Sequence, residues 1–225
     1  MKRKNVEKRR KGNPIIKRGY NNTNNNKVII AGIVVSNFEF YGRNNCGGFY
    51  KVKVETVNLQ GKKDVIPVVL SEVFIADINK QIQNKYIKVK GKYRSFTKED
   101  EKGQRHLEVF VLASDITFLE KELYENKIYF DGYLCDTPKI RYTPLGYLIT
   151  DVTIAVNRDD GTGDYIRCIS WGRTAKKILG FKIGEHVSVY AQIRSRKFLK
   201  KNEEGTEFRE KEINEVSVKF IKKYT

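Results

Sequence analysis

Apolar and polar residues alternate with a period of two along most of the chain, the signature of half-buried strands rather than helices. Val187, Val189, Ala191 and Ile193 alternate with Ser188, Tyr190, Gln192 and Arg194. Ile87, Val89, Gly91 and Tyr93 alternate with Lys88, Lys90, Lys92 and Arg94, and Val152, Ile154 and Val156 with Thr153 and Ala155. Turn signals such as Asp160-Gly161-Thr162-Gly163 and Asn202-Glu203-Glu204-Gly205 separate the runs.

The pattern also repeats at a spacing of about 100 residues. Asn26-Lys27-Val28-Ile29-Ile30-Ala31-Gly32 matches Asn126-Lys127-Ile128-Tyr129-Phe130-Asp131-Gly132. Val65 to Leu70 matches Tyr165 to Ser170, and Ile87, Val89, Tyr93, Arg94 and Ser95 match Val187, Val189, Ile193, Arg194 and Ser195. Near the end Ile116, Phe118 and Leu119 match Val218, Phe220 and Ile221, so two residues are inserted in a charged turn, where insertions cost least. The expected division is an arm over 1–26, a first domain over 27–119 and a second over 120–225. One short helix per copy is expected after the third strand, at Ser71 to Gln83 and at Arg173 to Leu179. Five strands with a helix after the third, in about 100 residues, is the layout of a five-stranded Greek-key barrel, the oligonucleotide/oligosaccharide-binding (OB) fold. The fold class expected is therefore all-β, two tandem OB barrels behind a basic flexible arm.

Charge changes this picture from fold to partner. The 225 residues include 44 Lys or Arg and 27 Asp or Glu, a formal charge of +17. Nucleic acid or an anionic surface is the default partner for such a chain. Residues 1–26 carry nine cations against Glu7, a net +8, and end in an Asn-rich run. Few apolar residues and high charge keep such a segment from ordering by itself. The two copies carry only +5 and +4. No run approaches 18 apolar residues and no apolar stretch follows the basic start, which argues against a membrane span or a secretory signal. Cys46, Cys135 and Cys168 lie far apart with no CxxC, so no disulfide framework or zinc site is expected, and a cytoplasmic location fits best. His106 and His186 are the two histidines, and no HExxH, Ser/His/Asp grouping or P-loop is present. No enzyme activity, cofactor or metal is expected.

The candidate chemistry lies in the third strand of copy two, Tyr165-Ile166-Arg167-Cys168-Ile169-Ser170-Trp171. Alternation puts Tyr165, Arg167, Ile169 and Trp171 on one face, two aromatic plates with a guanidinium between them. Phe198 follows Arg194, Arg196 and Lys197 on a later strand. Bases stack on aromatic plates at about 1–3 kcal/mol each, and arginines meet phosphates. The competing reading makes Tyr165 and Trp171 core residues, against which Arg167 speaks, because a core face rarely accepts an unpaired cation. In copy one, Val65, Pro67 and Val69 take the corresponding places, with neither plate nor cation. That face is expected to make protein contact, while Lys88, Lys90 and Arg94 form a candidate phosphate stripe. Tyr41, Phe49, Phe96 and His106 sit near turns and are further candidates for stacking or for packing.

Copy two resembles the bacterial single-stranded DNA-binding protein family. The resemblance rests on Asn126-Lys127-Ile128, Gly132, Pro138, Arg141-Tyr142-Thr143-Pro144-Leu145-Gly146, Tyr165-Ile166-Arg167-Cys168, Trp171-Gly172-Arg173, Gly184 to Val189, and Arg194-Ser195-Arg196-Lys197-Phe198. It implies that Tyr165, Trp171 and Phe198 stack bases. It also implies that Arg141, Arg167, Arg173, Arg194 and Arg196 line the path of the strand, and Tyr142, Arg158 and Lys197 are further candidates for phosphate or groove contact. The implied partner is single-stranded DNA, with RNA as the alternative, bound without sequence preference in replication, recombination or repair at the nucleoid. Family members usually act with four such domains, so a homodimer is expected. The last residues, Lys222-Lys223-Tyr224-Thr225, are not an acidic tail of the kind that recruits partner proteins, and the loop Asn157 to Asp164 lacks an aromatic. The rival expectation is an accessory OB factor, of the primosome or recombination-mediator type or an RNA-binding protein, whose main task is to bind a protein or RNA.

Overall fold

The computed structural model describes residues 24–45, 47–76, 82–99, 103–201 and 208–224. Most of the arm, and Cys46, lie outside them. In copy one, strands β1 (Asn26–Val34), β2 (Glu39–Asn44), β3 (Gly47–Val57) and β4 (Lys63–Ser71) precede helix α1 (Val73–Ala76), then β5 (Tyr86–Glu99) and β6 (Arg105–Leu119) follow. Copy two repeats the order with β7 (Glu125–Leu134), β8 (Lys139–Tyr142), β9 (Leu148–Asn157), β10 (Gly163–Trp171), α2 (Gly172–Ile178), β11 (His186–Lys201) and β12 (Phe208–Lys223).

Five strands of each copy close a barrel. β1 pairs with β5 along its length and bends at Ile33 and Val34 to pair with β3 as well. β3 pairs with β4, β4 runs parallel to β6 at Val68–Val111, and β6 returns to β5. Copy two closes the same way through β7–β9 and the parallel pair Cys168–Val216. These are OB barrels with Greek-key connections. Each copy has a sixth strand segment beyond the five expected. The first strand breaks, at Ser36-Asn37 in copy one and at Thr137-Pro138 in copy two, and its continuation (β2 or β8) pairs only with the next strand. Pro138 has no N–H to give to a ladder, which favours the break there.

Burial follows the alternation. On β5, Ile87, Val89, Gly91, Tyr93 and Ser95 turn inward while Lys88, Lys90, Lys92 and Arg94 do not. Gly32 and Gly132 allow the sharp crossing of β1 over β3 and of β7 over β9. A Cβ there would stand 2.0 Å from the Glu55 carbonyl oxygen and 2.3 Å from that of Ala155. Helix α2 begins one residue earlier than expected and buries Ala175 and Ile178 against the barrel end. Its counterpart in copy one is a single turn where the sequence predicts a helix over Ser71 to Gln83; residues 77–81 of that stretch lie outside the described residues. No helix among the described residues is long and apolar enough to cross a membrane.

The two barrels share one sheet. β1 pairs antiparallel with β7 from Asn26–Phe130 to Ala31–Glu125. The pair Val28–Ile128 matches a residue with its own repeat equivalent, so a local two-fold axis relating the copies passes through it. Val28, Ile30, Ile128 and Phe130 are buried in one core that runs through both copies.

Candidate nucleic-acid interface

Strand β10 presents the face the sequence predicts, with one exception. Tyr165 and Trp171 are 51% and 46% exposed, and Arg167 between them is exposed too. Ile169 is buried, packed where β10 runs beside Ser217 of β12, so it adds no surface. Ile166, Cys168 and Ser170 point into the barrel, and Asp164 is buried where the copies meet. At a rise of about 3.3 Å per residue, Tyr165 and Trp171 stand roughly 20 Å apart along the strand. The tyrosine and the tryptophan are therefore surface plates, not core.

Arg167 opens into a groove of about 840 Å³ between the copies. Copy two contributes Lys139, Arg141 and Arg196 to it, and copy one contributes Lys51, Lys53, Val65 and Pro67. Arg141 is held in place by two hydrogen bonds to Asp151, from Nε and from Nη2, yet stays half exposed. The Arg196 guanidinium lies 5.9 Å from the centre of the Phe198 ring, and Phe198 is partly buried on the outer arm of β11. Lys197 pairs with Glu210 across the hairpin at 2.8 Å. Tyr142 is 68% exposed on β8, and Arg173 is exposed at the start of α2. Arg141, Arg167 and Arg196 thus line this groove between the copies, and Tyr165 and Arg167 line a smaller one that adjoins it. Trp171 and Phe198 lie outside the lining of either groove on β10.

Three predicted phosphate contacts are corrected. Arg94, Arg158 and Arg194 are largely buried, with side chains 15%, 11% and 20% exposed, because they hold the copies together. Arg94 donates to Asp164 at 2.8 Å, and Arg194 donates to Asp64 at 2.8 Å. Arg158 donates to Asp164 and to the Ser95 carbonyl, and its guanidinium lies 4.4 Å from the centre of the Phe96 ring. The backbone N–H of Ser95 donates to Asp164, and that of Ser195 donates to Asp64. In return the hydroxyls of Ser95 and Ser195 accept from the N–H of Tyr165 and of Val65. Lys88 pairs with Glu125 at 2.9 Å and Lys90 with Asp115 at 3.0 Å, so the stripe on β5 is charge-compensated.

The Val65, Pro67 and Val69 face is also reassigned. Val69 is buried at 1% exposure, while the Val65 carbonyl accepts from Asn214 of copy two. The contact this strand makes is internal to the chain. Tyr41 hydrogen-bonds Glu108 under the Lys98 ammonium, which stands 4.3 Å from its ring centre, and Phe96 stacks on Phe110. Burial works against the Glu108 carboxylate, but hydrogen bonds from Lys51 and Lys98 hold its pKa below the ordinary value. Tyr41 is committed to packing, and Phe96 packs against Phe110 and Arg158 but remains 42% exposed. Asp64 and Asp164, the acceptors that join the copies, were not singled out from sequence. Their signal was available, since each stands at the head of the repeated third strand, one hundred residues apart.

Residues 125–221 match the model of the single-strand binding protein family. The chain is 33% identical over 103 residues to single-stranded DNA-binding protein B of Bacillus subtilis, covering 43% of this chain and 89% of that one. It is 30% identical over 103 residues to single-stranded DNA-binding protein A of the same organism, covering 43% of this chain and 59% of that one. It spans only about three fifths of several such relatives, 60% of the one from Halalkalibacterium halodurans. The wild-type single-stranded DNA binding protein from Thermus aquaticus superposes with a TM-score of 0.67 at 19% identity, over 89% of this chain and 93% of that one. That likeness extends the fold to both copies. The chain belongs to the single-strand binding protein family, with a second barrel ahead of the one that the family model matches.

Proposed function

We propose that the protein binds single-stranded DNA without sequence preference and does no chemistry on it. The observation that carries this reading is the exposed Tyr165–Arg167–Trp171 face of β10 beside Arg141 and Arg196. Stackable plates interleaved with cations suit any base and any phosphate, which is what sequence-blind binding needs. The names of the relatives agree with it. Such a ligand would place the protein at the nucleoid in the cytoplasm and in replication, recombination or repair. Two barrels per chain favour a homodimer, which would give four; light scattering at twice 26.2 kDa would support it and a monomer mass would remove it.

Trp171 is the single tryptophan, so its fluorescence reports one site. Titration with oligo(dT), oligo(rU) and duplex should give strong quenching by dT. Trp171→Ala, which has no tryptophan left and is read by the anisotropy of dye-labelled oligo(dT), should weaken binding by about 1–3 kcal/mol. Deleting residues 1–20, which hold the whole +8 of the arm, should flatten the salt dependence and leave the dT preference. Equal response to duplex, or no loss in Trp171→Ala, would defeat the reading. A second reading, an accessory factor directed at a protein or RNA, is favoured by one feature: copy one has Val65 and Pro67 where copy two has Tyr165 and Arg167. Tighter binding of rU than of dT would select it.

A further inference from the structure

We propose that copy one completes the strand-binding site of copy two, through Arg105 and Leu107 on its own long hairpin. The inference rests on the reading of β10 as the strand-binding face. Ser95 is where the hairpin of β5 and β6 meets copy two, by hydrogen bonds to Asp164 and to the N–H of Tyr165. Side chains alternate along a strand, so the face that starts at Ser95 continues through Thr97. Thr97 pairs with Leu107, and Glu99 with Arg105, so both β6 residues lie on that same face of the hairpin.

The result is a second groove, of about 470 Å³, with Tyr165 and Arg167 on one wall and Thr97, Arg105 and Leu107 on the other. It opens into the larger groove at Arg167 and Leu107, which line both. The two differ in charge. The larger one is lined by cations but also by Glu108, Asp136, Asp151, Glu212 and Glu215. The smaller one is lined by two arginines and, among the described residues, no carboxylate. It is therefore the better anion site, and it sits at the Tyr165 plate. Arg105 is 62% exposed and pairs with Glu99 at 3.6 Å, a surface pair that a phosphate can displace at little cost. Leu107 is 36% exposed and offers an apolar wall to the sugar or base beside Tyr165. The equivalent place on copy one has Val65 and Pro67 instead of Tyr165 and Arg167, and the ladder puts Glu212 and Glu210 where Leu107 and Arg105 stand, so it has neither plate nor hairpin arginine. Copy one thus serves the groove of copy two more than one of its own.

The test uses the full chain and dye-labelled oligo(dT) at several salt concentrations, with affinity read by anisotropy in every variant and the Trp171 signal read where the tryptophan is kept. Arg105→Gln, and Glu99→Gln combined with Arg105→Gln so that a freed carboxylate is not the cause, should each lower the slope of log affinity against log salt. One lost phosphate contact on a single strand is worth about 0.7 in that slope. The quenching amplitude at saturation and the thermal midpoint should not change, and Lys62→Gln, outside both grooves, should leave the slope as it was. If slope and affinity are unchanged in both Arg105 variants while Trp171→Ala still weakens binding, the contribution of copy one is refuted and the β10 face stands. If Trp171→Ala is also without effect, the β10 reading falls, and this inference with it.

Discussion

The Asp164 carboxylate, with no exposed surface, accepts a 2.8 Å hydrogen bond from Arg94 of the other copy. It also takes Arg158 and the Ser95 N–H, so one acid positions two arginines where the barrels meet and offsets half of their charge. Removing one partner of a buried ion pair typically costs about 3–5 kcal/mol, because the remaining charge is stranded. Asp164→Ala should therefore lower stability by about that amount in urea unfolding followed by circular dichroism. Asp64→Ala should cost less, since Asp64 holds Arg194 and the Ser195 N–H but no second arginine. Equal small losses at the two sites would show that the ion pairs do not secure the contact between copies.

The arginines then divide into two groups that experiment can separate. Arg94→Met should lower the urea midpoint and leave the salt dependence of oligo(dT) binding unchanged. Arg167→Met should do the reverse, reducing the slope by about 0.7 with the midpoint preserved. A loss of salt slope in Arg94→Met would mean that this side chain leaves Asp164 to meet phosphate.

The sequence shows which arginines exist but not which are already spent. Alternation, repeat and turn signals were enough for two OB barrels, because most strands of each copy keep an inward period of two. The same period located the exposed Tyr165, Arg167 and Trp171. It could not separate Arg167 from Arg94 and Arg194, which also sit on outward strand faces. What distinguishes them is a carboxylate from the other copy, and nothing local records that pairing. Val69 failed for a related reason. On β4 the residues from Val68 to Leu70 are all buried, so near the parallel contact with β6 the face alternation no longer marks the surface.

Gly32 and Gly132 should be intolerant of a single methyl group. A Cβ at 2.0 Å or 2.3 Å from a carbonyl oxygen forces backbone to move in the crossing that closes each barrel. Overpacking of this kind costs about 1–3 kcal/mol or more. Gly42→Ala is the control, since a Cβ there meets nothing within 4 Å. Differential scanning calorimetry should show lowered midpoints for Gly32→Ala and Gly132→Ala only. Unchanged midpoints would mean that the crossing has room that the geometry does not show.

The His186 ring is stacked between Tyr133 and Tyr224, with centroids 4.7 and 4.3 Å away. Partial burial pushes its pKa below the ordinary 6.5, against an opposing pull from Asp131, whose carboxylate also accepts from Tyr129 and Tyr224. With the folded value depressed, the unfolded chain takes up the proton first as pH falls. The stability contributed by the neutral ring is complete above about 6.5 and is lost as pH drops through the folded value. His186→Phe keeps a flat ring between the tyrosines and cannot titrate. Urea midpoints at about pH 7.5 and about pH 5.5 should therefore fall more for the natural chain than for His186→Phe. Carboxylates held below their usual range, such as Glu108 and Glu185, titrate lower still and affect both proteins alike. Parallel pH dependence in the two would show that the stack accepts the charged ring without loss.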